Sequence, residues 1–164
     1  MTQPDAVSIR PAVAADEAAL GRLGAALVKL HHDFDPRRFV APGPDPERGY
    51  GRFLAGLLDR MDSVVLVAEQ GGQVVGYCYA GMEGRDWLSL RGPAGVIYDI
   101  LVDPAARGHG VGRRLLDAML QALAERGAPQ FVLFTATQNE AAQHLFAQAG
   151  FRSTMIEMTR DAGA

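Results

Sequence analysis

Cysteine is almost absent from this chain: Cys78 is the only one in 164 residues. An internal disulfide framework is therefore excluded, which fits a reducing, cytoplasmic compartment. Long apolar runs are missing too, and none approaches the roughly 18 residues of a membrane span. The opening stretch, MTQPDAVSIRPAVAADEAAL, has no basic segment followed by an apolar one, so it does not read as a secretory leader. Neither sign of charge dominates: 16 Lys and Arg stand against 19 Asp and Glu. A net charge of −3 points to neither nucleic acid nor an anionic membrane as partner. The histidines His31, His32, His109 and His144 are scattered without metal-ligand spacing, and no metal is expected. What is left is an ordinary globular composition, 48% hydrophobic, over a length that suits one domain, residues 1–164.

Periodicity organises the chain. Val7 to Arg10 reads as a short strand. Asp16 stands where it would cap a helix whose apolar stripe is Leu20, Leu23, Leu27 and Leu30. That helix ends in His31, His32, Asp33 and Asp35. A loop with four prolines from Pro36 to Pro46 follows. A second helix is expected over Glu47 to Asp59. Ser63 to Glu69, a Gly71-Gly72 turn and Gln73 to Ala80 read as a hairpin. Met82 to Pro93, with Trp87 in it, is a loop over a site or a widened hairpin. Val96 to Val102 is the central strand, followed by a helix on Leu115, Leu116, Met119, Leu120 and Leu123. Gln130 to Thr137 reads as a buried strand, Asn139 to Ala149 as a short helix, and Arg152 to Thr159 as a last strand. Hairpins first and a parallel crossover second imply an α/β fold with a mixed sheet and helices on both faces.

The rest of the chain is organised around Val96 to Leu116, VIYDILVDPAARGHGVGRRLL. A strand carrying one acid, Asp99, breaks at Asp103-Pro104, turns through Gly108, Gly110 and Gly112, and enters a helix. A helix N-terminus offers unpaired N–H groups and a dipole that favours anions. Glycines let the backbone approach a phosphate closely. Arg107, Arg113 and Arg114 add positive charge. The nucleoside-triphosphate loop is excluded, because no Lys-[Ser/Thr] follows the last glycine. The dinucleotide fingerprint needs G-x-G-x-x-G, and the pattern here is G-x-G-x-G.

Arg107-Gly108-His109-Gly110-Val111-Gly112, led by Val102-Asp103-Pro104, resembles the acetyl-CoA-binding signature of the GNAT superfamily of N-acetyltransferases. A second stretch agrees with it: Asn139, Ala142, Leu145 and Gly150-Phe151 fall at the family's spacings. With the N-terminal strand and two helices, the resemblance covers most of the chain. It implies a central mixed sheet of about six to seven strands. It also implies acetyl transfer from acetyl-CoA to a primary amine of a small molecule or peptide, directly within a ternary complex. The backbone from Gly108 to Arg113 would hold the pyrophosphate, and the Ile100, Leu101 and Val102 backbone would pair with the pantetheine amides. Asn139 would touch the cofactor from the second strand–helix unit. Where many relatives carry a tyrosine that protonates the leaving thiolate, this chain has Phe146, which has no proton to give. That departure keeps open a second reading, a domain that binds acetyl-CoA as a sensor without turnover.

The resemblance places an acid of some relatives at Asp99, as a base for the acceptor ammonium or an anchor for it. The competing reading is a structural carboxylate. Tyr98 stands where those relatives have a second acid. Successive strand residues face opposite ways, so Tyr98 and Asp99 share a face only across a bulge. His31, His32, Asp33 and Asp35 lie in the family's acceptor-side segment and bind substrate or form a solvated helix end; Trp87 is a lid aromatic over the substrate or a loop anchor. Acids at Asp33, Asp35, Glu83, Asp86 and Asp99 favour a cationic acceptor. Cys78, between Tyr77 and Tyr79, reads as a core thiol. An open sheet edge at the short C-terminal end points to a homodimer.

Overall fold

The computed structural model describes residues 6–163. The first five residues, part of the stretch read as carrying no leader, lie outside the described residues. Five strands form one sheet in the order β1-β2-β3-β4-β5. They are β1 (Ser8–Pro11), β2 (Ser63–Gln70), β3 (Gln73–Glu83), β4 (Ala94–Val102) and β5 (Phe131–Leu133). β1 to β4 pair antiparallel, and β5 lies parallel to β4. The helices are α1 (Glu17–Phe34), α2 (Pro46–Ala55), α3 (Val111–Glu125) and α4 (Glu140–Gln148).

Helices cover both faces. On one, Leu20 and Leu23 of α1 and Leu54 of α2 pack over Val65, Val67 and Tyr77. On the other, Leu115, Leu116, Met119 and Leu123 of α3 pack over Val64, Leu66 and Cys78, joined by Phe146 of α4. β2 feeds alternate residues to the two layers, so it reads as a continuous apolar run rather than an alternating one. Leu54 is fully buried between α1 and the sheet. Leu54→Ala is expected to cost about 2–5 kcal/mol of stability, read by chemical denaturation.

Glycine sets how α1 meets α2. A Cβ on Gly21 would lie 2.2 Å from the Glu47 carbonyl oxygen, and one on Gly51 would lie 2.7 Å from that of Glu17. The two helices therefore touch backbone to backbone.

β4 carries a bulge at the position on which its chemistry depends. Tyr79 pairs with Asp99 but Ala80 pairs with Ile97, so Tyr98 is an extra residue with no partner on β3. Ile97 packs on the α3 layer, whereas Leu101 packs on the α1/α2 layer. The Tyr98 ring stacks on Tyr79 at 4.8 Å between centroids. Tyr98 and Asp99 thus share the α1/α2 face, which strict alternation forbids.

Several expected boundaries are corrected. Arg152 to Thr159 forms no strand, so among the described residues the sheet has five strands and not six to seven. A strand needs a neighbour, and this segment carries instead an ion pair from Arg38 to Glu157, followed just beyond it by one from Arg37 to Asp161. The expected strand over Gln130 to Thr137 shrinks to Phe131–Leu133, half-buried rather than buried, because the β4 ladder ends where the bulge begins. α2 stops at Ala55, ahead of Gly56, and not at Asp59. Asp16 stands at the N-cap of α1 but makes no side-chain cap bond. Its carboxylate instead accepts from the Val13 N–H at 2.9 Å and from Arg10 at 2.8 Å. Residues 84–92 form a widened hairpin tip, closed by an Asp86–Arg91 bridge.

Candidate active site

β4 and β5 separate after the Ile97–Leu133 pair. Beyond it a cleft opens, with Tyr98, Asp99 and Ile100 on one wall and Phe134 and Thr135 on the other. Leu27 and His31 of α1 close it on one side; Asn139 and Phe146 close it on the other. Among the described residues, the edge of β4 that faced β5 has no strand partner from Tyr98 to Val102.

Asp99 is the buried acid of this cleft, 8% exposed. Its Oδ2 accepts from the Tyr50 hydroxyl at 2.5 Å and from the Tyr77 hydroxyl at 3.0 Å. Burial pushes its carboxyl above the usual carboxylate range, because a charge in a poorly solvated site is disfavoured. The two hydroxyls and the nearby His31 act in the opposite direction. The same burial and the Asp99 charge raise both tyrosines, so their hydroxyls stay protonated donors. Tyr98, half exposed, donates to Glu83, which also pairs with Arg91.

The glycine turn lies where β4 runs into α3. Gly108 and Gly110 have φ of +81° and +76°, the left-handed region that favours glycine. A Cβ on either would meet nothing within 4 Å, so the space before the turn is open. The Gly110 carbonyl accepts from the Arg114 N–H at 3.1 Å, which begins the α3 ladder. The N–H groups of Val111, Gly112 and Arg113 precede it and have no partner within the helix. Arg107 Nε donates to the Val102 carbonyl at 2.9 Å and ties the turn to the end of β4. Arg113 is engaged by Asp117 at 2.8 Å and by the Gln148 carbonyl at 3.3 Å. Asn139 Oδ1 caps α4 by accepting from the Ala142 N–H at 3.2 Å.

The remaining candidates divide by location. His31 lines the cleft, its Nδ1 2.9 Å from the Leu27 carbonyl. His32, Asp33, Asp35 and Trp87 do not line it. His32 contacts the Phe39 carbonyl at 3.0 Å, Asp33 pairs with Lys29 at 2.5 Å, and Asp35 accepts from the Arg37 N–H at 3.0 Å. Trp87 is 73% exposed, with Arg85 over its ring. Glu83 and Asp86 are likewise occupied locally, so Asp99 is the acid that the fold brings to the cleft. Cys78 is a fully buried free thiol, held protonated by burial. Among the described residues no three His, Cys, Asp or Glu side chains gather as a metal site. No helix among them is long and apolar enough to cross a membrane. The sequence alone marks neither Tyr50, on the second helix, nor Tyr77, beside Cys78, as functional. The signal available for Tyr50 was the glycine spacing at Gly21, Gly24 and Gly51, which marks where α2 comes close.

A split mixed sheet with a buried carboxylate at the split and a glycine turn beyond it defines an α/β protein with a ligand cleft along one strand. The chain belongs to the acetyltransferase (GNAT) family, whose sequence profile matches residues 26–151. It is 35% identical over 97 residues to a mycothiol acetyltransferase of Cellulomonas flavigena, an alignment covering 57% of this chain and 28% of that protein. The chain thus spans under a third of the length of that relative. The fold matches the BH1408 protein of Bacillus halodurans, solved as a mutant (TM-score 0.80, 21% identity, 94% and 98% of the two chains). It also matches a predicted acetyltransferase of Clostridium acetobutylicum solved with acetyl-CoA (TM-score 0.68, 18% identity, 94% and 96%).

Proposed function

We propose that this protein is an N-acetyltransferase that moves the acetyl group of acetyl-CoA to a primary amine of a small molecule or peptide, by direct attack in a ternary complex within one domain. The observation that carries the reading is the placement of Asp99 at the mouth of an unpaired β4 edge that leads to the glycine turn. The residues present fit the co-substrate. Unpaired N–H groups from Gly108 to Arg113 suit a pyrophosphate, with open space before Gly108 and Gly110. The open edge presents the backbone of Ile100 and Val102, with Arg107 Nε on the Val102 carbonyl, and suits the amides of a pantetheine chain; the Ile100 N–H suits the charge that develops on a thioester oxygen, whereas Leu101 pairs with Tyr77 and turns its N–H toward β3. Asn139, with Oδ1 committed to α4, keeps Nδ2 for the ligand.

An amine near pKa 10 is charged at neutral pH and must lose a proton before it attacks. Asp99 binds that ammonium and accepts its proton, directly or through water. Tyr98, brought to the same face by the bulge, lines the acceptor side with His31. The remaining substrate candidates, His32, Asp33, Asp35 and Trp87, form the outer approach. The protein works in the cytoplasm as a homodimer. The open outer edge of β5 and the exposed Met155, Ile156 and Met158 support the dimer, which sedimentation equilibrium tests.

The direct test is calorimetric titration with acetyl-CoA, followed by a free-thiol assay over a panel of amines and peptides. Tight binding with thiol release on one amine class supports the reading; absence of binding overturns it. Phe146 supports the second reading, a sensor that binds without turnover. It is buried against Phe151 at 6.1 Å and lines the cleft without a proton to offer. Phe146→Tyr is expected to raise thiol release in an active enzyme, by up to about 10²-fold where the hydroxyl reaches the leaving sulfur. A protein that binds acetyl-CoA yet releases no thiol on any acceptor, with or without this change, is the sensor.

A further inference from the structure

Asp99 is held by a device that begins in α1. Its Oδ2 takes both hydroxyl donors, Tyr50 from α2 and Tyr77 from β3. Its Oδ1 accepts no hydrogen bond among the described residues. None of their buried side-chain oxygens is left without a partner, so Oδ1 retains solvent access, and the cleft provides it. With one oxygen saturated, a carboxylate has one left for a ligand. The seat of Tyr50 depends on the missing side chain of Gly24, whose Cβ would lie 2.0 Å from the Tyr50 ring. The close crossing at Gly21 and Gly51 brings α2 near enough for that fit. Phe53 braces the ring edge-on at 5.6 Å.

We propose that Tyr50 is the positioning residue for Asp99: seated against Gly24, its hydroxyl fixes Oδ2 and leaves Oδ1 as the single carboxylate oxygen that receives an N–H of the acceptor ammonium. The role of Asp99 toward an acceptor rests on the acetyl-transfer reading above. The hold of Tyr50 on Asp99 does not. A hydrogen bond to the ionised form favours that form, so losing the Tyr50 hydroxyl makes Asp99 harder to ionise. The groups facing Asp99 are His31 from α1, Tyr50 from α2, Tyr77 and Tyr79 from β3, and Tyr98 beside it on β4.

The test is a carboxyl-carbon NMR titration of the full chain, with the Asp99 signal assigned by its loss in Asp99→Asn. In Tyr50→Phe the Asp99 midpoint is expected to rise by about one pH unit, the size of one charge-assisted hydrogen bond. Gly24→Ala should reproduce the rise by displacing the ring, even though alanine is the better helix former. The same comparison in a His31→Gln background separates the effect from imidazole titration. On the acceptor, the acid limb of kcat/KM should move up with the midpoint, while affinity for acetyl-CoA stays within about twofold. A folded Tyr50→Phe with an unmoved midpoint overturns the proposal, whatever happens to its melting temperature. A midpoint that moves while the acid limb stays put upholds the grip of Tyr50 on Asp99 and removes Asp99 from the proton step.

Discussion

Asp99→Asn is expected to lower turnover by about 10²- to 10⁴-fold, the usual span of a positioned acid–base group, while acetyl-CoA binds nearly as before. Asparagine keeps an oxygen for the Tyr50 and Tyr77 hydroxyls and nearly the same volume, so the cleft wall should survive. What it loses is the charge that holds an ammonium and the basicity that takes its proton. The same change has a second signature in stability. The folded Asp99 carboxyl titrates above its unfolded value because of burial. Between the two values the folded state binds more protons than the unfolded state. Its contribution therefore favours folding at low pH and declines as pH rises through the folded value. Asp99→Asn should remove that decline, and near neutral pH the variant should melt at a higher temperature than the parent. Turnover that falls while thermal stability rises is what a functional carboxylate produces. Unchanged turnover, or an unfolded variant, contradicts the assignment. Steady-state kinetics and thermal melts across pH 4–8 decide it.

Gly110→Val should weaken acetyl-CoA binding by about tenfold or more and leave the fold in place. Two effects combine. Gly110 holds φ +76° at the N-cap of α3, a conformation that costs a side-chain-bearing residue roughly 1–2 kcal/mol, and β-branching adds to it. The new side chain also projects into the open space before the turn, where the phosphates are proposed to sit. Gly112 is a useful contrast. A Cβ there meets Leu145 and Val102 at 3.5 and 3.7 Å, ordinary packing distances. Gly112→Ala should therefore be tolerated better than Gly110→Val. An unchanged dissociation constant for Gly110→Val, measured by calorimetry, places the phosphates elsewhere.

Both predictions begin from residues that the sequence marks without help. Asp99 is the one acid in a strand of apolar residues, and the glycines follow a strand and open a helix. The helical stripe of α1, the β2–β3 hairpin and the apolar face of α3 are legible for the same reason: local periodicity mirrors which face is buried. Long-range partners are harder to read. The segment from Arg152 to Thr159 has strand-like composition, but composition supplies no neighbour, and the sheet ladder had already ended at Leu133. The acids at Asp33, Asp35, Glu83 and Asp86 are expected on the acceptor side, yet each is satisfied by a group in its own segment, which leaves the cleft to Asp99.

By itself, then, the sequence determined the fold class, the order of elements up to α4, the glycine turn and the acid beside it. These features depend on spacing along the chain and on backbone preferences that glycine and proline impose locally. Only the tertiary structure decided that Tyr98 and Asp99 share one face, because a bulge is defined by the register of two strands and not by either alone. Only it decided that Tyr50, 49 residues before Asp99, would grip the carboxylate. That contact exists because glycines let two helices close to backbone distance, and the energy of such an approach depends on both surfaces at once.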